Sequence, residues 1–145
     1  MTGTDTSEER FEVEPRLESI ALIQDAIEDA AQGALDTRRL FQLNMSVEEL
    51  VTNVVRHSGT ADPVGVVIRK GPGHISVEIV DHGVAFDPFK QAPKPAIDAE
   101  LDQRPVGGLG VHLVQVMLDK VEYRRESERN HVILTMNTQT GGTGT

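Results

Sequence analysis

The stretch RPVGGLGVHLVQVMLDK, residues 104–120, carries three glycines in four positions and continues as an apolar run at helical spacing. Because glycine costs a helix about 1 kcal/mol relative to alanine, the cluster indicates that the backbone has another use there. Free N–H groups and the positive end of a helix dipole make such a start an anion site. Close packing of the helix on a sheet is the alternative. The motif is neither a dinucleotide fingerprint, which follows a strand directly, nor a P-loop, which needs Gly-Lys-Ser/Thr.

Composition places the chain among globular proteins and excludes several functions. Its 145 residues suit one domain, and the absence of cysteine excludes disulfides, thiol catalysis and Cys-ligated metals. A net charge of -9 without a basic run argues against a nucleic-acid surface. No run of apolar residues is long enough to cross a membrane, and the N-terminus is not a signal peptide, so we expect a cytoplasmic protein.

Hydrophobic periodicity predicts one folded domain over residues 10–137, with disordered ends at 1–9 and 138–145. The predicted helices cover residues 17–33, 37–57 with Asp36 as its cap, and about 107–119. The predicted strands cover residues 10–15, 62–70, 73–81, 120–127 and 130–137, and KGPG joins the second to the third. Residues 82–105 contain four prolines and no sustained period, which indicates a long loop. This order predicts an α+β fold: a two-layer sandwich with a mostly antiparallel, mixed sheet and three main helices on one face.

The second predicted helix contains EELVTNVVRH, residues 48–57. At about 100° per residue, Glu49 and Asn53 lie roughly 40° apart on one face, with Thr52 and Arg56 beside them. A solvated helix face would explain these residues. Asn53, however, is a poor helix former and a neutral oxygen ligand of the kind that a hydrated Mg²⁺ accepts. A carboxylate one turn away can orient or deprotonate a hydroxyl.

A third motif is VEIVDHGVAFDP, residues 77–88, in which a strand ends at Asp81 and Gly83 follows. A carboxylate at a strand end can accept a hydrogen bond from an exocyclic amine, and a glycine lets a flat ring approach the backbone. An ordinary turn is the alternative.

In their order and spacing, EELVTN, DHGVAFDP and GGLGVHLV resemble the N, G1 and G2 boxes of the GHKL (Bergerat-fold) ATPase superfamily, over residues 11–136. Within it, the chain is most similar to the anti-sigma-factor serine/threonine kinases of bacterial partner-switching systems. The resemblance implies an enzyme that uses ATP and Mg²⁺, binds a sigma factor and phosphorylates a serine of a STAS-type antagonist. It also implies a homodimer and a lid at about residues 88–105.

The resemblance also implies a role for each residue of the three boxes. Glu49 would be the general base, Asn53 would hold Mg²⁺ through the ATP phosphates, and Thr52 would contact the nucleotide. Asp81 would accept the adenine amino group beside Gly83. The phosphates would meet backbone N–H groups of Gly107, Gly108, Leu109 and Gly110.

Two positions depart from the family pattern or stand outside it. The last strand begins RNHVIL and lacks the Gly-Thr pair that often meets adenine, so Asn130 or no residue takes that place. His57 is interpreted as a polar helix-end residue.

Two other functions are open: a non-catalytic ATP/ADP-binding module that sequesters a partner, and the ATPase part of a histidine kinase. The second is disfavoured because no dimerising helical hairpin with an acceptor histidine precedes the motifs.

Overall fold

The structure, a computed structural model, describes residues 6–91 and 108–138. It confirms the α+β prediction, with five strands and four helices in the described part. The strands are β1 Ser7–Val13, β2 Val64–Gly71, β3 His74–Asp81, β4 Lys120–Glu126 and β5 Arg129–Asn137. The helices are α1 Ser19–Ala31, α2 Thr37–His57, α3 Pro88–Gln91 and α4 Gly108–Met117.

The strands form one sheet in the order β1-β2-β3-β5-β4. All four pairings are antiparallel, so the mixed character we expected is not seen among the described residues. Because alternate residues of a strand face opposite sides, one face carries the apolar residues that meet the helices. These buried strand residues are Val13, Val64, Val66, Ile68, Ile75, Val77, Ile79, Val132, Leu134 and Met136.

The long helices pack on that single face, as predicted. Their buried residues, such as Ile27 of α1, Leu50 of α2 and Val114 of α4, belong to the same core cluster as the strand residues. α2 lies between the other two, since it contacts both α1 and α4. Its predicted cap is confirmed: the Asp36 side chain accepts a hydrogen bond of 2.8 Å from the Arg39 N–H. None of the described helices is both long and apolar enough to cross a membrane.

The structure corrects the predicted element boundaries at several places. β1 begins at Ser7 rather than residue 10 and pairs with β2, so residues 7–9 are not disordered. Thr138, predicted to begin the disordered tail, donates to the Gly73 carbonyl at 3.0 Å. The start of the predicted loop contains α3, with Pro88 in its first turn, where its missing N–H costs nothing. The remaining lid residues 92–105, Gly107 and the ends 1–5 and 139–145 lie outside the described residues.

Two tight turns join the hairpins. The predicted β2–β3 turn is confirmed at Pro72 and Gly73, where the glycine has a φ of 83°. The β4–β5 turn consists of Ser127 and Glu128, with φ values of 54° and 61°. Positive φ at both central residues suits the right-handed twist of a hairpin, although neither residue is a glycine.

Candidate functional site

A pocket opens where β3 ends, between α2 and the loop that follows β3. Apolar side chains of α2, β3 and β5 line it together with a few polar groups, which is the usual composition of a small-molecule site. The residues that line it are Leu50, Asn53, Val54, His57, Ser58, Ile79, Asp81, Val84, Phe86, Pro88, Asn130 and Val132. The structure therefore brings Asn53 and Asp81 of two separate motifs into one cavity.

Asp81 provides a buried carboxylate in this pocket, with 6% of its surface exposed. Its Oδ1 accepts hydrogen bonds from the Gly83 N–H at 2.8 Å and from Asn130 Nδ2 at 3.0 Å. None of the described residues donates a hydrogen bond to the other carboxylate oxygen, Oδ2. Two internal donors thus orient the carboxylate and leave one acceptor for a group such as an exocyclic amine.

His57 and Phe86 form an aromatic pair that the sequence interpretation missed. Their ring centroids lie 4.4 Å apart with an angle of 19° between the planes, and both residues line the pocket. A stacked pair of this kind gives a flat aromatic wall on which another planar ring can pack. The available signal was the position of His57 one helical turn after Asn53, on the same face of α2.

Glu49 and Asn53 lie one turn apart on α2, and each carries a buried polar atom without a partner among the described residues: Glu49 Oε2 and Asn53 Nδ2. Unpartnered buried polar atoms are uncommon in folded proteins and mark places where a ligand can bind. Burial raises the pKa of Glu49, an effect that Glu48 increases and Arg56 opposes. A carboxylate with a raised pKa is a stronger base than an ordinary glutamate.

Gly110 connects this face of α2 with the start of α4. A Cβ at this position would lie 2.2 Å from Glu49 Oε1 and 2.9 Å from Oε2, so only glycine leaves room for the carboxylate. The first turn of α4, with its free N–H groups, therefore lies next to Glu49. Such a turn attracts an anion. α4 begins at Gly108, as expected, and Leu109 follows in its first turn, while Gly107 lies outside the described residues.

Two other predicted site residues have a structural explanation of their own. A Cβ at Gly83 would lie 2.3 Å from the carbonyl oxygen of Ser58, so the close approach of this loop to the end of α2 requires the glycine. Thr52 donates its hydroxyl to the Glu48 carbonyl at 2.7 Å, and it does not line the pocket. A hydroxyl bonded back to its own helix is common and needs no ligand.

The donors and acceptors fit a nucleotide and a hard cation. The aromatic wall and the free oxygen of Asp81 suit a flat ring that bears an amine, and the start of α4 suits phosphates. The amide of Asn53 is buried and its Nδ2 has no partner among the described residues, so this group is available to a ligand, and its oxygen is of the type that Mg²⁺ takes. Glu49 lies against Gly110 in the first turn of α4 and one turn from Asn53 on α2, where it can act on a hydroxyl brought to the phosphates.

Comparison with known proteins identifies the family of the chain. The family described as "Histidine kinase-like ATPase domain" matches residues 13–136. The serine/threonine-protein kinase BtrW of Bordetella bronchiseptica is 30% identical over 109 residues, which are 73% of this chain and 76% of that protein. The serine-protein kinase RsbW of Bacillus licheniformis is 35% identical over 91 residues.

The coverage of the other relatives is smaller. The match with RsbW of Bacillus licheniformis covers 59% of this chain and 57% of that protein. The fold resembles a crystal structure of the RsbU and RsbW domains of a Mycobacterium tuberculosis protein, with a TM-score of 0.65 at 12% identity. That match covers 96% of this chain and 35% of the larger one, and it bears on the fold alone.

Proposed function

Since the chain belongs to the histidine kinase-like ATPase domain family, we propose that it is a cytoplasmic anti-sigma factor with ATP-dependent protein serine/threonine kinase activity. It binds a sigma factor and phosphorylates a serine of an antagonist protein, and homodimer formation is part of the proposal. The names of the relatives support this activity, because the two quoted are serine/threonine- or serine-protein kinases.

The observation that carries the proposal is the placement of Glu49 and Asn53 one turn apart on α2, next to the pocket that contains Asp81. Each of the two α2 residues has a buried polar atom without a partner in the described chain, and Gly110 preserves the space around the carboxylate. A protein with only a packing role for this face would gain stability by filling that space or pairing those atoms. The arrangement is better explained by a reaction at this place.

In the proposed binding mode, the adenine ring packs on the His57–Phe86 pair and donates its exocyclic amine to Asp81 Oδ2. The phosphates extend along α2 towards the first turn of α4. The amide oxygen of Asn53 would hold the Mg²⁺ that accompanies them, and this ion supplies neutralisation of the phosphate charge. Pre-oriented N–H groups of α4 add to this neutralisation without reorganising during the reaction.

Glu49 acts on the acceptor. Its carboxylate takes the proton of the incoming serine hydroxyl as the hydroxyl oxygen forms a bond to the γ-phosphorus. The bond between that phosphorus and the β–γ bridging oxygen breaks in line, so that ADP leaves with the bonding electron pair. The raised pKa of Glu49 favours the proton transfer, and general-base catalysis of this type contributes about 10²–10⁴-fold.

A phosphorylation assay tests this function. The purified chain, ATP and Mg²⁺ are incubated with each STAS-type antagonist encoded in the same genome, and intact mass and phosphoserine mapping are measured. We expect one phosphoserine on one of these proteins with the wild type and none above background with Glu49→Gln. Stoichiometric complexes with an antagonist or a sigma factor, without any phosphorylated product, would instead establish a non-catalytic sequestering module.

A further inference from the structure

Asn130 of β5 lies in the wall of the pocket, where β5 pairs with β3 on one side and with β4 on the other. In the register of the sheet it lies opposite Asp81 of β3 and opposite Arg125 of β4. Directly opposed residues share a face, so these three side chains form a row across the end of the sheet. Asn130 is 2% exposed, which makes it one of the most buried polar residues in the described chain.

The amide of Asn130 has no hydrogen-bonding capacity left for a ligand. Its Nδ2 donates both hydrogens, to Asp81 Oδ1 at 3.0 Å and to the Val84 carbonyl at 2.7 Å. Its Oδ1 accepts from the Tyr123 hydroxyl at 2.6 Å and from the Phe86 N–H and Arg125 Nη1, each at 3.2 Å. Acceptors surround the nitrogen and donors surround the oxygen, so the partners fix the orientation of the amide.

The same group holds the loop that carries the pocket wall. Asn130 bonds the backbone at Val84 and Phe86, and Arg125 donates to the Gly83 carbonyl at 2.8 Å. Burial raises the pKa of Tyr123, so its hydroxyl keeps its proton and remains a donor at neutral pH. Residues of β4 and β5 therefore determine where Asp81 and the aromatic pair stand.

We propose that Asn130, supported by Tyr123 and Arg125, is a positioning residue that sets base selectivity by fixing Asp81 and the loop after β3, without itself forming a hydrogen bond to the nucleotide. This inference rests on the proposed function and names the residues that tune the base pocket. When Asn130 is removed, Asp81 loses one of the two donors that orient it and the loop loses two backbone anchors. The contact with an exocyclic amine then loses its geometry, whereas Glu49 and Asn53 on α2 stay in place.

The test compares a non-hydrolysable ATP analogue with its inosine counterpart, which carries a carbonyl oxygen in place of the amine. Asn130→Ala is expected to weaken binding of the ATP analogue about 10-fold, and Tyr123→Phe about 3-fold. In both variants the ratio of the two dissociation constants falls towards one. Arg124→Lys is the matched control and keeps the wild-type ratio, because Arg124 points to the opposite face and pairs with Glu78 and Glu126.

A merely structural role would lower the folded fraction and leave the ratio unchanged. Folded Asn130→Ala and Tyr123→Phe proteins, checked by circular dichroism, that retain the wild-type ratio would overturn the inference. If Asn130→Ala does not fold, Tyr123→Phe decides the question, since phenylalanine preserves the ring and removes one hydrogen bond. A wild type that does not bind the ATP analogue overturns the proposed function as well, so the two failures are distinguishable.

Discussion

Gly110→Ala should separate catalysis from nucleotide binding. The new methyl carbon would lie 2.2 Å from Glu49 Oε1, whereas non-bonded atoms pack at about 3.5 Å, so the carboxylate must retreat by roughly 1 Å. The carboxylate ends a flexible side chain and can turn away, so we expect the free energy of unfolding to fall by about 1 kcal/mol at most, the lower end of the overpacking range. A displacement of about 1 Å can cost 10²-fold in rate. Alanine keeps the backbone N–H, so binding of an ATP analogue should change by less than about 3-fold.

The assay measures the rate of phosphoryl transfer to the antagonist at saturating ATP, together with the dissociation constant of the analogue. Gly65→Ala is the matched control, because a Cβ there would make an ordinary contact of 3.5 Å with Val80, whose side chain lies on the face of the sheet opposite to the helices. In a Glu49→Ala background, Gly110→Ala should cause no further loss of transfer. A wild-type rate in Gly110→Ala, or parallel losses of binding and transfer, would refute the reasoning.

Three further predictions concern pH and stability. Because burial raises the pKa of Glu49 and the base must be ionised, transfer at saturating ATP should rise with pH through a midpoint above 4.5. A pH–rate profile would measure this midpoint, and Glu49→Gln should remove the inflection. Because the folded state favours the protonated form of Glu49, replacing it by neutral glutamine should not lower the Tm at pH 7. Asp36→Ala removes the cap of α2 and should lower the free energy of unfolding by about 1 kcal/mol in urea titrations. Glu128→Gly relieves a φ of 61° and should raise that free energy by up to ~1 kcal/mol, with Glu126→Gly as a destabilising control on the neighbouring strand.

The regular elements followed from local signals in the sequence. The apolar stripe and the Asp36 cap defined α2 to the residue, and the Pro-Gly pair placed the β2–β3 turn. The predicted first strand begins three residues too late, because residues 7–9 are polar and give no apolar pattern. They join the sheet through backbone pairing with β2 and through the 3.1 Å ion pair between Glu8 and Arg69, which no local pattern signals.

The site was predictable in its motifs and not in its contacts. The spacing of Glu49 and Asn53 on one helix face is a local property, and the structure keeps it. The role of Gly110 depends on how closely α4 approaches α2. The hydrogen bonds of Asn130 depend on the registers of β3, β4 and β5. The stacking of His57 on Phe86 joins the end of a helix to a loop on another part of the chain. Such contacts arise from tertiary packing and leave no periodic trace in the sequence.

Isothermal titration with a non-hydrolysable ATP analogue, with and without Mg²⁺, tests the central claim most directly. We expect the wild type to bind the analogue more tightly with Mg²⁺ than without it. Asn53→Ala should lose this dependence on Mg²⁺ because it lacks the amide oxygen that would hold the ion, while Thr52→Ala, which removes a hydroxyl bonded to its own helix, should retain it. A wild type that binds no analogue would contradict the assignment of an ATP site to this pocket, and an affinity that is the same with and without Mg²⁺ would contradict the role of Asn53.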